Sequence, residues 1–130
     1  MRTLCGLMIS LTLAGAAWAQ EERPFYAQMS EALATAAARH DLPQQLDPTT
    51  KLVDVRASGL TMTYFYEVNE HATAEQTRRF FARNNIPLMC ADEDVVYSFR
   101  QGVIFRYSYK TLAEPAPVVI VVGAADCEGQ

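Results

Sequence analysis

Two acidic side chains and one imidazole lie close together near the middle of the sequence. They are Glu67, Glu70 and His71. A pair of carboxylates beside a histidine is a set of groups that a hydrolase can use for general acid–base catalysis. Loops that follow strands also carry such residues simply because the loops are solvated. The group is therefore a candidate for catalysis, with ordinary solvation as the simpler interpretation.

No other arrangement of residues matches a familiar catalytic motif. None of the serines after residue 19 lies in G-x-S-x-G, and the chain has no H-E-x-x-H, P-loop or G-x-G-x-x-G motif. His40 is far from His71 in sequence. It lies at the end of a predicted helix, where the helix dipole favours the partial positive charge of the His40 imidazole. The acidic residues 92–94 lack the glycine and the distal glutamate of an EF-hand. The sequence predicts no catalytic residue, no metal site and no cofactor.

The chain contains three cysteines, of which Cys5 lies in an N-terminal segment that we expect to be removed. Cys90 and Cys127 remain, and two cysteines in a small exported domain form a disulfide with only one possible connectivity. A redox-active or metal-binding pair would need close CxxC spacing or further ligands nearby, and neither is present. We therefore predict a structural disulfide between Cys90 and Cys127.

The first 19 residues have the three parts of a secretory signal peptide. Arg2 is positive, residues 4–14 are apolar, and residues 17–19 form a small-x-small cleavage site. The apolar segment is too short for a membrane anchor, and polar residues follow it at once. We expect cleavage after Ala19 and export to the periplasm. No cysteine occupies the position directly after the cleavage site, and Cys5 lies near the start of the signal, so no lipid anchor is expected.

The composition is that of one soluble globular domain. The 130 residues are 50% hydrophobic and 20% charged, with a net charge of −4. An acidic exported protein has no electrostatic reason to bind nucleic acid or anionic lipid. We expect a single domain over residues 20–130, and a monomer.

Apolar residues recur at helical spacing in two stretches. The first runs from Phe25 to about His40 and ends before Pro43, because the residue preceding a proline is disfavoured in a helix. The second begins at a capping box formed by Thr73 and Gln76, and residues 84–87 end or kink it.

Alternating or continuous apolar runs predict five strands. The strands are residues 52–57, 60–68, 95–100, 103–110 and 118–122. Ser58-Gly59 and Gln101-Gly102 indicate hairpin turns, so the sheet is expected to be antiparallel and its last three strands to form a meander. The run 118–122 is expected to be central or covered on both faces, because an exposed edge of that composition invites aggregation.

The elements follow the order α-β-β-α-β-β-β. This order predicts an α+β two-layer sandwich, in which two helices cover one face of a five-stranded antiparallel sheet and one disulfide closes the last part of the chain.

The second predicted helix carries a basic cluster with two phenylalanines inside it. Its residues are Arg78, Arg79, Phe80, Phe81 and Arg83. Arginine recognises carboxylates, so these five residues are candidates for binding a partner with an acidic patch. The alternatives are a solvated helix face, or pairing of the arginines with a carboxylate such as Glu67 or Asp94.

The C-terminal half resembles a known family. The sequence M-C-A-D at 89–92, G-V-I-F-R-Y at 102–107 and the final cysteine Cys127 are similar to the β-type pilotin lipoproteins of type II secretion systems. That resemblance implies an α/β fold with a disulfide and binding of the C-terminal segment of a secretin. The pilotins carry a lipobox cysteine that this chain lacks. Over most of its length the chain also resembles small exported bacterial proteins of unassigned role.

Two hypotheses from different classes follow. The first is a non-enzymatic periplasmic accessory protein that binds a peptide segment or protein, with a partner helix in an apolar groove between a helix and the sheet. The second is a small envelope hydrolase that uses Glu67, Glu70 and His71, or an enzyme inhibitor that presents the acidic residues 92–94.

Overall fold

A computed structural model describes residues 22–129 of the chain. The predicted signal peptide and its cleavage site lie outside the described residues. The helices are α1 (Glu22–Ala38), α2 (Ala74–Ala91) and α3 (Glu93–Arg100), with a short 3-10 helix at Ala124–Cys127. The strands are β1 (Gln44–Gln45), β2 (Thr50–Ser58), β3 (Thr61–Val68), β4 (Ile104–Lys110) and β5 (Val118–Val122).

The five strands form one sheet in the order of the chain, β1-β2-β3-β4-β5. Neighbouring strands pair antiparallel except β3 and β4, which pair in parallel with Thr61 opposite Ile104 and Glu67 opposite Lys110. Parallel neighbours need a long crossover connection, and α2 and α3 provide it. The sheet is therefore mixed.

Helix α1 packs over β2 through one apolar stripe. Met29, Leu33 and Ala37 recur every four residues and contact a cluster that includes Leu52 and Val55. Full burial of such an aliphatic side chain contributes roughly 1.5–3 kcal/mol. The stripe fixes which face of α1 points at the sheet.

A second apolar cluster lies under α2 and α3. Phe81, Phe99 and Val122 form its centre, with Phe81 only 2% exposed. Phe105 of β4 packs against both clusters, so the three helices lie on one face of the sheet and share a continuous core. The predicted α+β fold, with helices on one face and a Cys90–Cys127 disulfide, is confirmed.

The prediction of a strand at residues 95–100 is wrong, because this segment is helix α3. Asp92 caps the helix, since its side-chain Oδ1 accepts hydrogen bonds from the backbone N–H groups of Asp94 at 2.9 Å and Val95 at 3.3 Å. Val95 and Phe99 then fall four residues apart on one helical face and pack into the second cluster. In a run of eight residues the helical and alternating patterns overlap, and the cap decides between them.

The predicted antiparallel meander is wrong for the same reason. With α3 in place of a strand, β4 follows a helix and pairs with β3 in parallel, and only β4 and β5 form an antiparallel pair there. Gln101 and Gly102 end α3, and Gly102 adopts a φ of 88° that favours glycine. The fifth strand is β1, at Gln44–Gln45, which is not among the five predicted strands.

Two further expectations differ from the structure. Helix α2 does not end at residues 84–87, which is one of the two outcomes that the sequence predicts there, but continues through Pro87 to Ala91. Ile86 and Met89 pack against the second cluster and Cys90 is tied to Cys127, so packing outweighs the hydrogen bond that Pro87 cannot donate. Strand β5 lies at the edge of the sheet and not at its centre.

The disulfide is expected to contribute a large part of the stability. Its cysteines are 37 residues apart, for which the chain-entropy model gives about 4 kcal/mol. Replacing both cysteines by serine should lower the free energy of unfolding by that amount, measured by urea unfolding with circular dichroism detection. The unmodified protein in reductant should show the same loss. A double variant within about 1 kcal/mol of the parent protein would contradict this account.

The cap of α3 can be tested separately. Asp92→Ala should lower the free energy of unfolding by about 1 kcal/mol, because it leaves the first N–H groups of the helix without an acceptor. Asp92→Asn retains the side-chain oxygen and should remain close to the parent protein in the same urea titration. Equal losses for both variants would assign the effect to charge and not to capping.

Candidate functional site

The three arginines of the predicted partner-binding group have different surroundings. Arg78 donates a hydrogen bond from Nη1 to the carbonyl oxygen of Val119 at 2.8 Å, which links α2 to β5. Arg79 forms an exposed ion pair with Glu75 one helical turn earlier. Among residues 22–129, Arg83 takes part in no ion pair. The predicted pairing with Glu67 or Asp94 does not occur in this part of the chain.

The two phenylalanines of the group point in different directions. Phe81 is 2% exposed and lies against the sheet, with its ring centroid 4.8 Å from that of Tyr107. Phe80 is 67% exposed. An exposed phenylalanine on a well-packed helix keeps apolar surface in water, so only Phe80 is placed to contact a partner directly. Phe81 anchors the helix that presents it.

Phe80 lines a cleft of about 580 Å³. The first half of α2 forms one wall, and the ends of β3 and β4 together with residues 47, 49, 50 and 70–72 form the rest. Val68 and Tyr109 give the cleft an apolar floor, while Thr49 and Gln76 contribute polar groups. A mainly apolar cleft with a few polar groups suits a peptide side chain or a short helical segment.

Asp47 shapes the wall of this cleft. Its carboxylate accepts hydrogen bonds from the backbone N–H groups of Thr49 at 2.9 Å and Thr50 at 2.8 Å. These bonds favour the ionised form and hold the pKa of Asp47 below its ordinary value. The carboxylate is occupied in forming the turn.

A shallower depression of about 170 Å³ adjoins the cleft along α2. Its lining includes Arg79, Phe80 and Arg83. Phe80 belongs to the lining of both concavities, so it stands at the ridge between them. The surface formed by the two concavities and Phe80, called the α2 surface below, combines one aromatic anchor with two arginines.

The predicted acid-plus-imidazole group is divided between two places. Glu70 and His71 line the cleft of about 580 Å³ beside Phe80. Glu70 accepts a hydrogen bond from the Thr49 hydroxyl at 2.9 Å. Glu67 lines a different concavity with Lys51 and Lys110. Successive residues of a strand point to opposite faces, so Glu67 lies on the face without helices. The structure does not bring the three side chains together.

Four stacked tyrosines lie under the helices. Tyr64 stacks on Tyr107 and Tyr66 on Tyr109, with ring centroids 5.4 and 4.8 Å apart and planes within 12° of parallel. Parallel pairing of β3 and β4 places these residues side by side. The rings are half-buried, and one of them, Tyr109, forms part of the cleft floor.

Burial changes the acidity of these tyrosines. It raises the pKa of Tyr66 to about 12, with a smaller contribution from the negative charge that Tyr64 would carry. Burial also raises the pKa values of Tyr64, Tyr107 and Tyr109 above the ordinary value. The four phenols therefore stay neutral at any physiological pH.

Comparison with known proteins identifies the fold. The pilotin EpsS of the Vibrio vulnificus type 2 secretion system superposes with a TM-score of 0.62 at 19% identity, over 84% of this chain and 96% of its own. The type II secretion pilotin AspS from Vibrio cholerae gives 0.62 at 14% identity, over 82% of this chain and 98% of its own. The fold is that of the type II secretion pilotins. The resemblance noted in the sequence is thereby confirmed at the level of fold.

A predicted secreted protein from Pseudomonas aeruginosa has the same fold. It superposes with a TM-score of 0.63 at 17% identity, over 79% of this chain and 96% of its own. No family model matches the sequence, and no curated protein matches it. The pilotin fold therefore occurs here with little sequence similarity.

Residues 22–129 contain no group of three or more His, Cys, Asp or Glu side chains arranged to hold a metal ion. None of the helices in this range is both long enough and apolar enough to cross a membrane.

The sequence predicts Phe80 and the arginines as candidates but gives no sign of the residues that form the other walls of the cleft. Thr49, Val68 and Tyr109 come from segments far apart in the chain, and no local pattern connects them. Tyrosines alternate along the sequences of both β3 and β4, which indicates an aromatic face on each strand. The alternation does not indicate that the two strands are neighbours.

The raised tyrosine pKa values predict a loss of stability in alkali. A phenol with a higher pKa in the folded protein keeps its proton longer there, so the free energy of unfolding is unaffected below pH 10 and falls as the pH rises above it. Urea titrations should show this fall between pH 10 and 12. Tyr66→Phe should make the fall less steep. A fall that is equally steep in the Tyr66→Phe variant would contradict this account.

Proposed function

We propose that this protein is a non-enzymatic accessory protein of the bacterial envelope that binds a segment of a secretion-system component, as a pilotin does. The observation that carries the proposal is the exposed Phe80 at the ridge of the α2 surface, on a chain with the pilotin fold. The fold covers nearly the full length of both Vibrio pilotins, so the likeness is not confined to one motif.

The chemistry of the α2 surface indicates what it would bind. Hot spots of protein interfaces are enriched in aromatic residues and arginine and are surrounded by residues that exclude water. Phe80 provides the apolar anchor, and the adjoining cleft of about 580 Å³ provides space for a side chain of the partner. A helical segment with one apolar face would bury Phe80 and fill the cleft.

Charge further defines the partner. Arg79 and Arg83 line the depression beside Phe80, and Arg83 has no ion pair among residues 22–129. Arginines at an interface favour carboxylates, which they bind through two parallel hydrogen bonds. The proposed partner is therefore an amphipathic segment with acidic residues next to its apolar face. The secretin C-terminal segment implied by the pilotin resemblance is our leading candidate.

Location in the periplasm is part of this proposal. A signal peptide over residues 1–19 would deliver the chain there, and a Cys90–Cys127 disulfide suits an oxidising compartment. The absence of a lipobox cysteine would make this protein a soluble counterpart of the lipid-anchored pilotins. Such a protein would bind its partner in transit and would not itself hold it at the membrane.

The hydrolase alternative has less support. Its residues Glu67, Glu70 and His71 line two different concavities, so they cannot act on one bond without rearrangement of β3. The inhibitor alternative relies on an exposed acidic loop at residues 92–94, whereas Asp92 caps α3 and Glu93 and Asp94 begin it.

Replacing Phe80 provides the direct test. Phe80→Ala should weaken binding of a synthetic peptide from the C-terminal segment of a secretin by about 2 kcal/mol, measured by isothermal titration calorimetry. The matched control is Tyr97→Ala, which removes another exposed aromatic residue, 52% exposed, from α3. It should leave the affinity unchanged.

A charge reversal at Arg83 can be tested in the same calorimetric experiment. Arg83→Glu should weaken peptide binding, because it replaces an attraction for acidic residues by a repulsion. If the parent protein does not bind the peptide, or if the Phe80 and Tyr97 variants bind it equally well, the pilotin-like function is wrong.

A further inference from the structure

The two edges of the sheet are built differently. At one edge, β1 is only two residues long and polar, and the adjacent β2 carries a register shift and the charged residues Asp54 and Arg56. These are features by which natural sheets prevent further strand pairing. At the other edge, β5 is five β-branched residues without a charge, a proline or a register shift. This edge lacks those three features, although α2 reaches it through the hydrogen bond from Arg78 to the carbonyl oxygen of Val119.

The direction of the backbone groups on β5 follows from one hydrogen bond. The carbonyl oxygen of Val119 accepts from Arg78, so it points away from β4. In an antiparallel pair the N–H and C=O groups of one residue point the same way, and the direction alternates along the strand. The N–H groups of Val119 and Val121, and the carbonyl of Val121, therefore also point outward. The side chain of Val121 is 57% exposed.

We propose that β5 binds an extended, acidic segment of a partner protein as a sixth strand of the sheet. The incoming strand would form main-chain hydrogen bonds with Val119 and Val121, the mode of recognition called strand addition. Among the described helices and strands, β5 packs mainly against β4 and α2, and no strand pairs with its outer side.

Two arginines near β5 favour an incoming strand that carries acidic side chains. Arg78 reaches the edge at the Val119 carbonyl, and exposed Arg106 lies opposite Val121 on β4. Strand β5 itself has no charged side chain. A carboxylate on the incoming strand would pair with Arg106, or with Arg78 in exchange for its present hydrogen bond.

The same arginines disfavour a second copy of this chain as the occupant. Antiparallel pairing of two β5 strands about Ile120 would place Val119 opposite Val121 of the other copy. The two Arg78 guanidinium groups would then meet near the symmetry axis without a carboxylate between them. Like charges at that distance repel each other, so an acidic segment from another protein fits the edge better.

This edge is separate from the α2 surface. Arg78 faces β5, whereas Phe80 faces the cleft on the other side of α2. The inference therefore goes beyond the proposed function, and the two can fail independently. An accessory protein with both surfaces could hold two segments at once.

The test uses the parent protein and a capped seven-residue peptide in which valine and glutamate alternate. Binding should slow amide hydrogen exchange at Val119 and Val121, followed by NMR, because their outward N–H groups become hydrogen-bonded. A peptide with lysine in place of glutamate should bind at least tenfold more weakly, since each carboxylate–arginine pair is lost.

A proline at the edge provides the matched variant. Val121→Pro removes an N–H group that points away from β4, so the β4–β5 ladder stays intact. It should weaken binding of the glutamate peptide about tenfold, because it removes a hydrogen bond and obstructs the incoming strand. Val121→Thr keeps the N–H group and should bind as the parent does. Phe80→Ala should also have no effect on this peptide.

Three results would overturn the inference. One is unchanged hydrogen exchange at Val119 and Val121 when the peptide is saturating, a measurement that does not depend on the folding of any variant. Another is equal binding of the glutamate and lysine peptides. The third is a concentration-dependent dimer of the parent protein with slow exchange at both valines, which would assign the edge to a second copy.

Discussion

Parallel pairing of β3 with β4 is the constraint on which the rest of the structure depends. Parallel neighbours cannot be joined by a tight turn, so the chain must leave the sheet after Val68 and return at Ile104. The residues in between form α2 and α3, which cover one face of the sheet. The same pairing aligns the tyrosines of the two strands and gives Phe81 a flat aromatic surface on which to pack. Phe80 is then directed at the cleft because its neighbour in sequence is buried.

The sequence predicts most of the fold because most elements carry more than one signal. Helix α1 has both a periodic stripe and a proline after its end, and the β2–β3 hairpin has two alternating runs around Gly59, whose φ is 57°. The segment 95–100 has only a short apolar pattern that suits a helix or a strand. Its assignment depends on Asp92, a cap that lies outside the pattern. One wrong element was enough to change the predicted sheet from mixed to antiparallel.

Only those residues of the candidate site that lie close together in the sequence could be predicted. The basic cluster with Phe80 lies on one helix, so its residues could be found from sequence alone. The orientation of adjacent Phe80 and Phe81 could not, since it depends on which side of α2 meets β4. The sequence also could not place β5 at an edge, because composition alone favours a covered position for five β-branched residues. The structure satisfies that preference in part, since Val118 and Val122 are buried while Val121 is exposed.

The stacked tyrosines also determine how this protein can be observed. Its single tryptophan is Trp18, within the segment expected to be removed on export, and residues 22–129 contain none. Ultraviolet emission of the exported chain would therefore come from tyrosine, without the energy transfer to indole that usually masks it. Tyr109 borders the cleft, so a segment bound there would change the emission intensity. The chain thus carries an intrinsic optical probe at the proposed binding surface, and no dye needs to be attached.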